Sequence, residues 1–343
     1  MKMTSLDVTS LLTIPNVDAH IDKVNLELEA VLGQANPYIR KSLVRLIRSY
    51  SKRLRPLLVI AVATSQGGEV DKKAIHACTA VELIHIGSLV HDDIMDNADV
   101  RWRVPTINSQ EGVNHALVTG DYLFAKAFEQ AAMANLEIAA LVASALASLT
   151  DGESREAADR YNLNRSIRAL EVTHQGKTAS LFAVCCQIGG LCAGYGRTQL
   201  TALADYGRNF GMAFQLLDDV LDLLSTDQLS GKPVGQDASE GIYTLPVLLS
   251  LKGNSGNLLR SRMAKTKKFD AKRLVKTLHD DGSIAQTIQK IQWYNAQAAK
   301  ALDTIDSSSI MTYLKALPAQ YLKSALNHYV AREHQSAIAE FLA

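Results

Sequence analysis

Apolar residues recur along the chain at the three-and-four spacing of amphipathic helices, and alternating strand patterns of useful length are nearly absent. Two apolar stripes comprise Ile21, Val24, Leu28 and Leu32, then Ile39, Leu43, Leu46, Ile47 and Tyr50. No proline occurs between Pro105 and Pro233, which leaves the middle third free to form long helices. Glycine-containing turn signals such as Asp151-Gly152 separate stretches of helical length. We therefore predict an all-α fold.

Composition supports one compact unit. Apolar residues make up 47% of the 343 residues and charged residues 21%, which excludes a disordered or collagen-like chain. Since no composition shift or linker interrupts the sequence, we predict a single domain over residues 1–343. The 36 basic and 35 acidic residues nearly cancel, so no global field would attract nucleic acid or an anionic membrane surface.

The cysteines and the most apolar segments indicate the cellular compartment of the protein and whether it spans a membrane. Cys78, Cys185, Cys186 and Cys192 lack the spacing of a zinc or redox site and are expected to be free thiols. The first twenty residues hold no apolar run of signal-peptide length. Residues 178–196 are the best membrane-span candidate, but Gln187 and four glycines favour a core helix. We predict a cytoplasmic protein that does not span a membrane.

Two aspartate clusters carry the strongest chemical signal. The pattern D-D-x-x-D occurs in LVHDDIMD at residues 89–96 and again in QLLDDVLD at residues 215–222. On a helix, residues four apart lie one above the other, so each cluster directs its carboxylates toward one small volume. Like charges at this spacing need a compensating cation, and Mg²⁺ bound by carboxylates together with substrate phosphates fits. The apolar flanks of both clusters argue against two merely solvated acidic turns.

Cations lie close to both clusters along the chain. Lys52, Arg53 and Arg55 precede a helix with a first-turn proline, a suitable cradle for phosphate oxygens. Arg101 and Arg103 follow the first cluster, and Lys232 follows the second. These placements indicate that both clusters bind the same polyanion, which we interpret as a diphosphate.

A di-iron oxidase is an alternative from another chemical class. Such helix bundles use two Glu-x-x-His pairs, and this chain has Glu82 with His85 and Glu171 with His174. The alternative ranks lower because it leaves both aspartate clusters unexplained.

Taken in order, the motifs resemble those of the trans-isoprenyl diphosphate synthases of the polyprenyl synthetase family. The similar segments are KRLRP from Lys52, the helix from Glu82 to Asp96, Gly120-Asp121, GKTA from Gly176, FQLLDDVLD from Phe214, and the loop at residues 231–246. The resemblance covers nearly the whole chain. It implies the isoprenoid synthase fold, in which helices surround a central cavity, and usually a homodimer.

The resemblance also implies a reaction, in which isopentenyl diphosphate elongates an allylic diphosphate head to tail and gives an all-trans product. Its implied metal ligands are Asp92, Asp93, Asp96, Asp218, Asp219 and Asp222, which would hold about three Mg²⁺ ions on the bound substrate. The implied diphosphate contacts are Arg101, Lys177 and Lys232 for the allylic substrate, and Lys52, Arg55 and His85 for isopentenyl diphosphate. Gln215 and Thr178 would line the reacting carbons.

Four positions depart from the family pattern. Ser51 replaces a glycine, Trp102 and Arg103 replace the arginine and glycine that follow Arg101, and Ile242 stands where many members have lysine. Two expected cations are therefore missing, which leaves open a regulatory or partner subunit with low activity of its own. A class I terpene cyclase is a further alternative, but its second metal motif differs from the cluster at Asp218, Asp219 and Asp222.

Product length is predicted from the helix of the first cluster. Gly87 and Ser88 lie one turn before Asp92, under the growing chain, and neither can form a floor. We predict a medium or long product of about six or more isoprene units, with the floor set deeper by residues such as Ile84 and Val81 or by the facing helix. Close packing against a neighbouring helix is the other explanation for Gly87.

Overall fold

The structure is a computed structural model that describes residue 14 and residues 16–49, 53–101, 104–226, 234–253, 256–265 and 270–341. Its helices are α1 (Val17–Gly33), α2 (Pro37–Ser49), α3 (Leu54–Ala63), α4 (Lys72–Met95), α5 (Ile107–Glu111), α6 (Val113–Ala134), α7 (Leu136–Ala158), α8 (Ile167–His174), α9 (Ser180–Ala193), α10 (Arg197–Leu224), α11 (Gln236–Ser239), α12 (Leu245–Lys252), α13 (Gly256–Lys265), α14 (Ala271–Asp280), α15 (Ser283–Ala301), α16 (Ser309–Tyr329) and α17 (Gln335–Ile338). A π-helical turn (Gln175–Ala179) joins α8 to α9, and 3-10 turns occur at Leu302–Thr304, Arg332–His334 and Ala339–Phe341.

The predicted all-α fold is confirmed. Within the described ranges, the only sheet is an antiparallel pair of two-residue strands, β1 (Val100–Arg101) and β2 (Val104–Pro105). The two apolar stripes form α1 and α2, with Val24, Leu28 and Leu43 fully buried and Ile21 half-buried. Tyr50, the last residue of the second stripe, lies outside the described residues.

One predicted turn is wrong. Asp151-Gly152 lies inside α7 rather than at its end. A Cβ added to Gly152 would approach the backbone nitrogen of Lys177 to 2.3 Å. The glycine therefore serves close contact between two backbones and not a change of chain direction.

Buried residues from most of the helices form a continuous core, in which Phe182, Tyr206 and Phe210 are among the largest fully buried side chains. The long helix α10 packs against α9 and α15, while α4 packs against α3 and α6. Small residues allow these approaches, since a Cβ at Gly207 would lie 2.4 Å from the carbonyl oxygen of Phe182. The prediction of one domain over residues 1–343 stays a prediction.

The most apolar helices belong to this core. Two segments, Lys72–Met95 and Ile167–Ala193, are long and apolar enough to cross a membrane by length and composition alone. However, 83% and 61% of their most apolar windows are buried inside the fold. The second segment contains α9, the main part of the span candidate at residues 178–196, and this burial is typical of core helices.

A buried arginine at the start of α3 forms hydrogen bonds with three neighbouring helices. Arg53 adopts a left-handed backbone conformation with φ 43°, which costs a non-glycine residue about 1 kcal/mol. Its guanidinium donates to Glu82 on α4 at 2.7 Å, to Asn25 on α1 at 3.0 Å and to the carbonyl of Ile47 on α2 at 3.2 Å. This anchor holds the segment that presents Arg55 against the helix that presents His85.

We expect Arg53→Met to lower the free energy of unfolding by about 3–5 kcal/mol, because Glu82 would keep a buried, unpaired charge. Urea denaturation of the purified protein measures the change. The control is Lys276→Met, which removes the exposed pair with Asp280 on α14 and should leave the free energy of unfolding close to that of the wild type. Equal stabilities for the two variants would contradict the anchoring role of Arg53.

Candidate active site

The first aspartate cluster lies at the carboxyl end of α4. Asp92 and Asp93 belong to its last turn and Asp96 caps it. The backbone then folds back, because the carbonyl of Asp93 accepts hydrogen bonds from the amide of Ala98 at 2.9 Å and from the Asn108 side chain at 3.2 Å. This turn returns β1 toward the cluster.

Basic side chains face this cluster. Arg101 of β1 donates to the Asp93 carboxylate at 2.6 Å, and that carboxylate is only 4% exposed. Arg160, just after α7, donates to Asp96 at 2.7 Å. Burial raises the pKa of Asp92, although the positive charges of Lys177 and Arg101 act in the opposite direction. The structure thus brings Lys177, which is distant in sequence, to the first cluster.

The second cluster lies near the carboxyl end of α10, where Asp219 is buried. One Asp219 oxygen accepts from the Gln215 side chain at 3.1 Å, and the Gln215 carbonyl accepts from the Thr178 hydroxyl at 2.5 Å. The other Asp219 oxygen has no hydrogen-bond partner and lies 3.5 Å from Nε2 of His174. Gln215 and Thr178, predicted to act together, are therefore in direct contact.

Burial raises the pKa of Asp219 well above its usual range, and the negative charges of Asp237 and Asp218 add to the effect. Burial, together with the positive charges of Arg165 and Lys177, lowers the pKa of His174 to about 3. A carboxylate in such surroundings needs a cation close by to stay ionised.

The charge of one glutamate acts on both clusters. The charge of Glu156 raises the pKa of both Asp92 and Asp219. Lys177 donates to Glu156 at 2.6 Å and to Glu153 at 3.0 Å. Burial lowers the pKa of Lys177, but the charges of Glu156 and Glu153 outweigh it and raise the pKa above its usual value.

The predicted site for isopentenyl diphosphate is partly described. The Arg55 guanidinium lies over the Phe182 ring at 5.1 Å, and burial lowers its pKa while Glu82 and Asp218 raise it. Burial lowers the pKa of His85 well below its usual range, and the charge of Arg55 adds to this shift. The Arg55 charge therefore acts on His85, and their shared role in binding isopentenyl diphosphate stays a prediction. Lys52, Lys232, Trp102 and Arg103 lie outside the described residues.

The remaining predicted residues differ in their surroundings. Asp218 is exposed and Asp222 half-buried, and the carbonyl of Asp222 accepts from the amide of Gly235 at 2.9 Å. Ile242 is half-buried, with its amide bonded to the carbonyl of Asp237. The role of Asp218 and Asp222 as metal ligands stays a prediction. The loss of a diphosphate-binding cation at Ile242 also stays a prediction.

Gly87 packs against α6. A Cβ at Gly87 would lie 2.7 Å from the Phe124 ring and 3.3 Å from Leu123. Ser88 is buried and its hydroxyl donates to the carbonyl of His85 at 2.9 Å. Phe124 therefore occupies the space that faces Gly87. The predicted role of Gly87 and Ser88 in setting the length of the product therefore also involves the Phe124 ring.

Sequence reasoning assigned no role to several residues near the site: Glu153, Glu156, Arg160, Arg165 and Asp237. For Glu153, Glu156 and Arg160 the available signal was the charged end of the otherwise apolar α7, which reads DGESREAADR at residues 151–160, and Asp237 lies in the loop motif at residues 231–246. Arg160 adds a cation beside Asp96 that the motif comparison did not include.

The di-iron alternative is wrong. Glu82 pairs with Arg53, and Glu171 pairs with Lys290 at 3.1 Å. Over the described ranges, no three His, Cys, Asp or Glu side chains converge closely enough to hold a metal ion by themselves.

A hollow of about 880 Å³ lies away from both clusters. Its walls include Lys23 of α1, Thr64 and Val70 between α3 and α4, and Ser308 before α16. Thr64 follows α3 and Val70 precedes α4, whereas the first aspartate cluster lies at the other end of α4. The hollow is therefore not part of the candidate site.

Comparison with known proteins identifies the family. The polyprenyl synthetase family model matches residues 36–281. The chain is 30% identical to heptaprenyl diphosphate synthase component 2 of Bacillus subtilis, over 88% of this chain and 87% of the relative. It is 34% identical to octaprenyl diphosphate synthase of Haemophilus influenzae, over 88% and 92% of the two chains.

A solved structure confirms the fold. The crystal structure of a polyprenyl synthase from Caulobacter crescentus, complexed with calcium and isoprenyl diphosphate, has a TM-score of 0.83. Its sequence is 29% identical, and the match covers 93% of this chain and 97% of that one. Family match, relatives and fold agree with the paired aspartate motifs: the chain belongs to the polyprenyl synthetase family and is a trans-prenyltransferase.

Proposed function

We propose that the protein extends an allylic diphosphate with isopentenyl diphosphate to an all-trans polyprenyl diphosphate of medium or long chain. The observation that carries the proposal is that Lys177 lies 2.6 Å from Glu156, whose charge acts on the aspartate motifs of both α4 and α10. Relatives named as heptaprenyl, octaprenyl and nonaprenyl diphosphate synthases support the medium or long product. Incubation with isopentenyl diphosphate, several allylic primers and Mg²⁺, followed by product sizing, tests it.

The donors fit Mg²⁺. The unpartnered buried oxygen of Asp219 and the paired carboxylates of α4 suit a hard cation, and Mg²⁺ typically takes one or two carboxylates together with waters and phosphates. We infer that the six motif aspartates hold about three such ions when substrate is bound. When bound, the metal stabilises the negative charge that develops on the leaving diphosphate.

Protein side chains would orient and shield the reactants. Arg55 and neutral His85 would bind the diphosphate of isopentenyl diphosphate, while Arg101 and Lys177 would bind that of the allylic substrate. Thr178 and Gln215, joined by their hydrogen bond, would contact the reacting carbons. The Phe214 ring, one residue before Gln215 on α10, packs against the rings of Phe182 and Tyr321, and these rings would exclude water from the allylic cation.

Several exposed apolar residues lie on α6 and at the start of α7: Val113, Leu117, Val118, Met133 and Leu136, the last at 85% exposure. Val113 and Leu117 lie one turn apart on the same side of α6, and exposed apolar patches mark protein interfaces. We propose that these residues contact a second copy in a homodimer. The relatives named as component 2 of heptaprenyl diphosphate synthase instead favour a different partner subunit as the second candidate.

A cytoplasmic location remains a proposal. It is supported by four free cysteines, of which Cys78, Cys185 and Cys186 are buried, since such thiols suit a reducing compartment.

We expect Asp93→Ala and Asp219→Ala each to lower turnover by at least about 10²- to 10³-fold, because each removes charge that holds the cations on the leaving group. Steady-state assays with Mg²⁺ measure the change. Asp205→Asn, at a half-buried position in the first half of α10 where the carboxylate pairs with Arg208, is the control and should leave turnover unchanged. Near-normal turnover in either alanine variant would refute the two-cluster site.

Product length should depend on the contact between Gly87 and Phe124. Gly87→Phe inserts a second ring where Phe124 already lies, so we expect a product several isoprene units shorter. Phe124→Ala removes that ring and should lengthen the product. Chromatographic sizing measures both, with Tyr122→Ala on α6, whose ring lies near Lys126, as the aromatic control. Unchanged product lengths in folded, active variants would rule out a role of the Gly87–Phe124 contact in limiting the product.

We expect Leu117→Glu to shift the protein from dimer to monomer in sedimentation experiments, because it places a charge in the proposed apolar contact. Leu26→Glu, an exposed site on α1, is the matched control and should stay dimeric. A wild-type protein that sediments as a monomer would favour the separate partner subunit over the homodimer.

A further inference from the structure

Two carboxylates outside the sequence motifs hold the ammonium group of Lys177. Glu153 Oε1 lies 2.9 Å from Nζ, and Glu156 Oε1 lies 2.6 Å from it. Both carboxylates are only 13% exposed, and both come from the last turns of α7. Ion pairs this close and this sheltered are screened much less than surface pairs.

The backbone fixes the relative position of these groups. Lys177 lies in the π-helical turn, where a Cβ at Gly176 would come within 2.7 Å of the carbonyl oxygen of Ser148 on α7. On the other side, a Cβ at Gly152 would come within 2.3 Å of the Lys177 amide nitrogen. Only two facing glycines permit this approach. Glu153 and Glu156 follow Gly152 by one and four residues, so the backbone contact itself brings them to the lysine.

A lysine ammonium has three N–H donors on a long, flexible stem. Two of the donors are directed to Glu153 and Glu156. Asp92 lies near enough for its charge to act on Lys177, so the ammonium also faces the first aspartate cluster. Fixing a flexible cation before substrate arrives removes part of the ordering cost of the transition state.

We propose that Glu153 and Glu156 are positioning residues, which hold the Lys177 ammonium so that its third N–H meets the allylic diphosphate. This inference rests on the proposed function, in which Lys177 binds that diphosphate. The two glutamates act through Lys177 and bind neither substrate nor metal.

The experiment is a double-mutant cycle between the two glutamates and Lys177. Glu153→Ala/Glu156→Ala should lower kcat by about 10- to 100-fold, as expected when a transition-state contact is weakened, and leave the KM for isopentenyl diphosphate unchanged. Glu156→Gln keeps an acceptor for the ammonium and should retain most of the activity. Asp151→Ala, which removes an exposed carboxylate of α7 paired with Arg155, is the control and should behave as wild type.

The test is whether the loss of activity in the glutamate variants depends on the presence of Lys177. If the glutamates act through Lys177, their removal in the Lys177→Ala background should cause less than about twofold further loss. A full additional loss in that background, or a raised Mg²⁺ requirement that persists there, would overturn the proposal. If the double alanine variant does not fold, the single Glu153→Ala and Glu156→Ala variants must show the same coupling. Failure of the wild type to condense the substrates would contradict the proposed function instead.

Discussion

The candidate site depends on balancing partly or fully buried carboxylates with cations. Asp93 in the last turn of α4 and Asp219 on α10 are buried, and the charge of Glu156 acts on both Asp92 and Asp219. Such a concentration of like charge is unfavourable unless cations compensate it. The chain supplies part of the compensation itself, through Arg101 on Asp93 and Arg160 on Asp96. The remaining negative charge is what suits the site to metal ions and a diphosphate.

The helical frame is stiff where this charge has to be held. Facing glycines bring backbones into contact, as with Gly152 and Gly176 beside Lys177 or Gly207 against α9. The hydrogen bonds of Arg53 to Glu82 and Asn25 likewise hold the start of α3, which presents Arg55, against α4 and α1. Since packed interiors resist deformation, charged groups on such a frame keep their distances when substrate is absent. Preorganised charges of this kind stabilise a developing leaving group without reorganising during the reaction.

The proposed control of product length involves two helices. Asp92 and Asp93 lie at one end of α4, while Gly87, more than one turn earlier, packs against α6. Phe124 from α6 fills the space that the missing side chain of Gly87 leaves. The proposed limit on product length therefore includes a residue of α6 as well as Gly87 and Ser88 of α4.

The sequence alone determined the fold class and the core of the chemistry. Helical periodicity is a local property, so α1 and α2 and their buried stripes could be read directly, and both aspartate motifs are contiguous in sequence. The family match confirms the resemblance that those motifs carried. Only the tertiary structure showed that Glu153, Glu156 and Arg160 belong to the site, that Gly152 is a contact and not a turn, and that Phe124 faces Gly87. These facts depend on which helix faces which, and that pairing is set by packing between residues far apart in the chain, which no local pattern encodes.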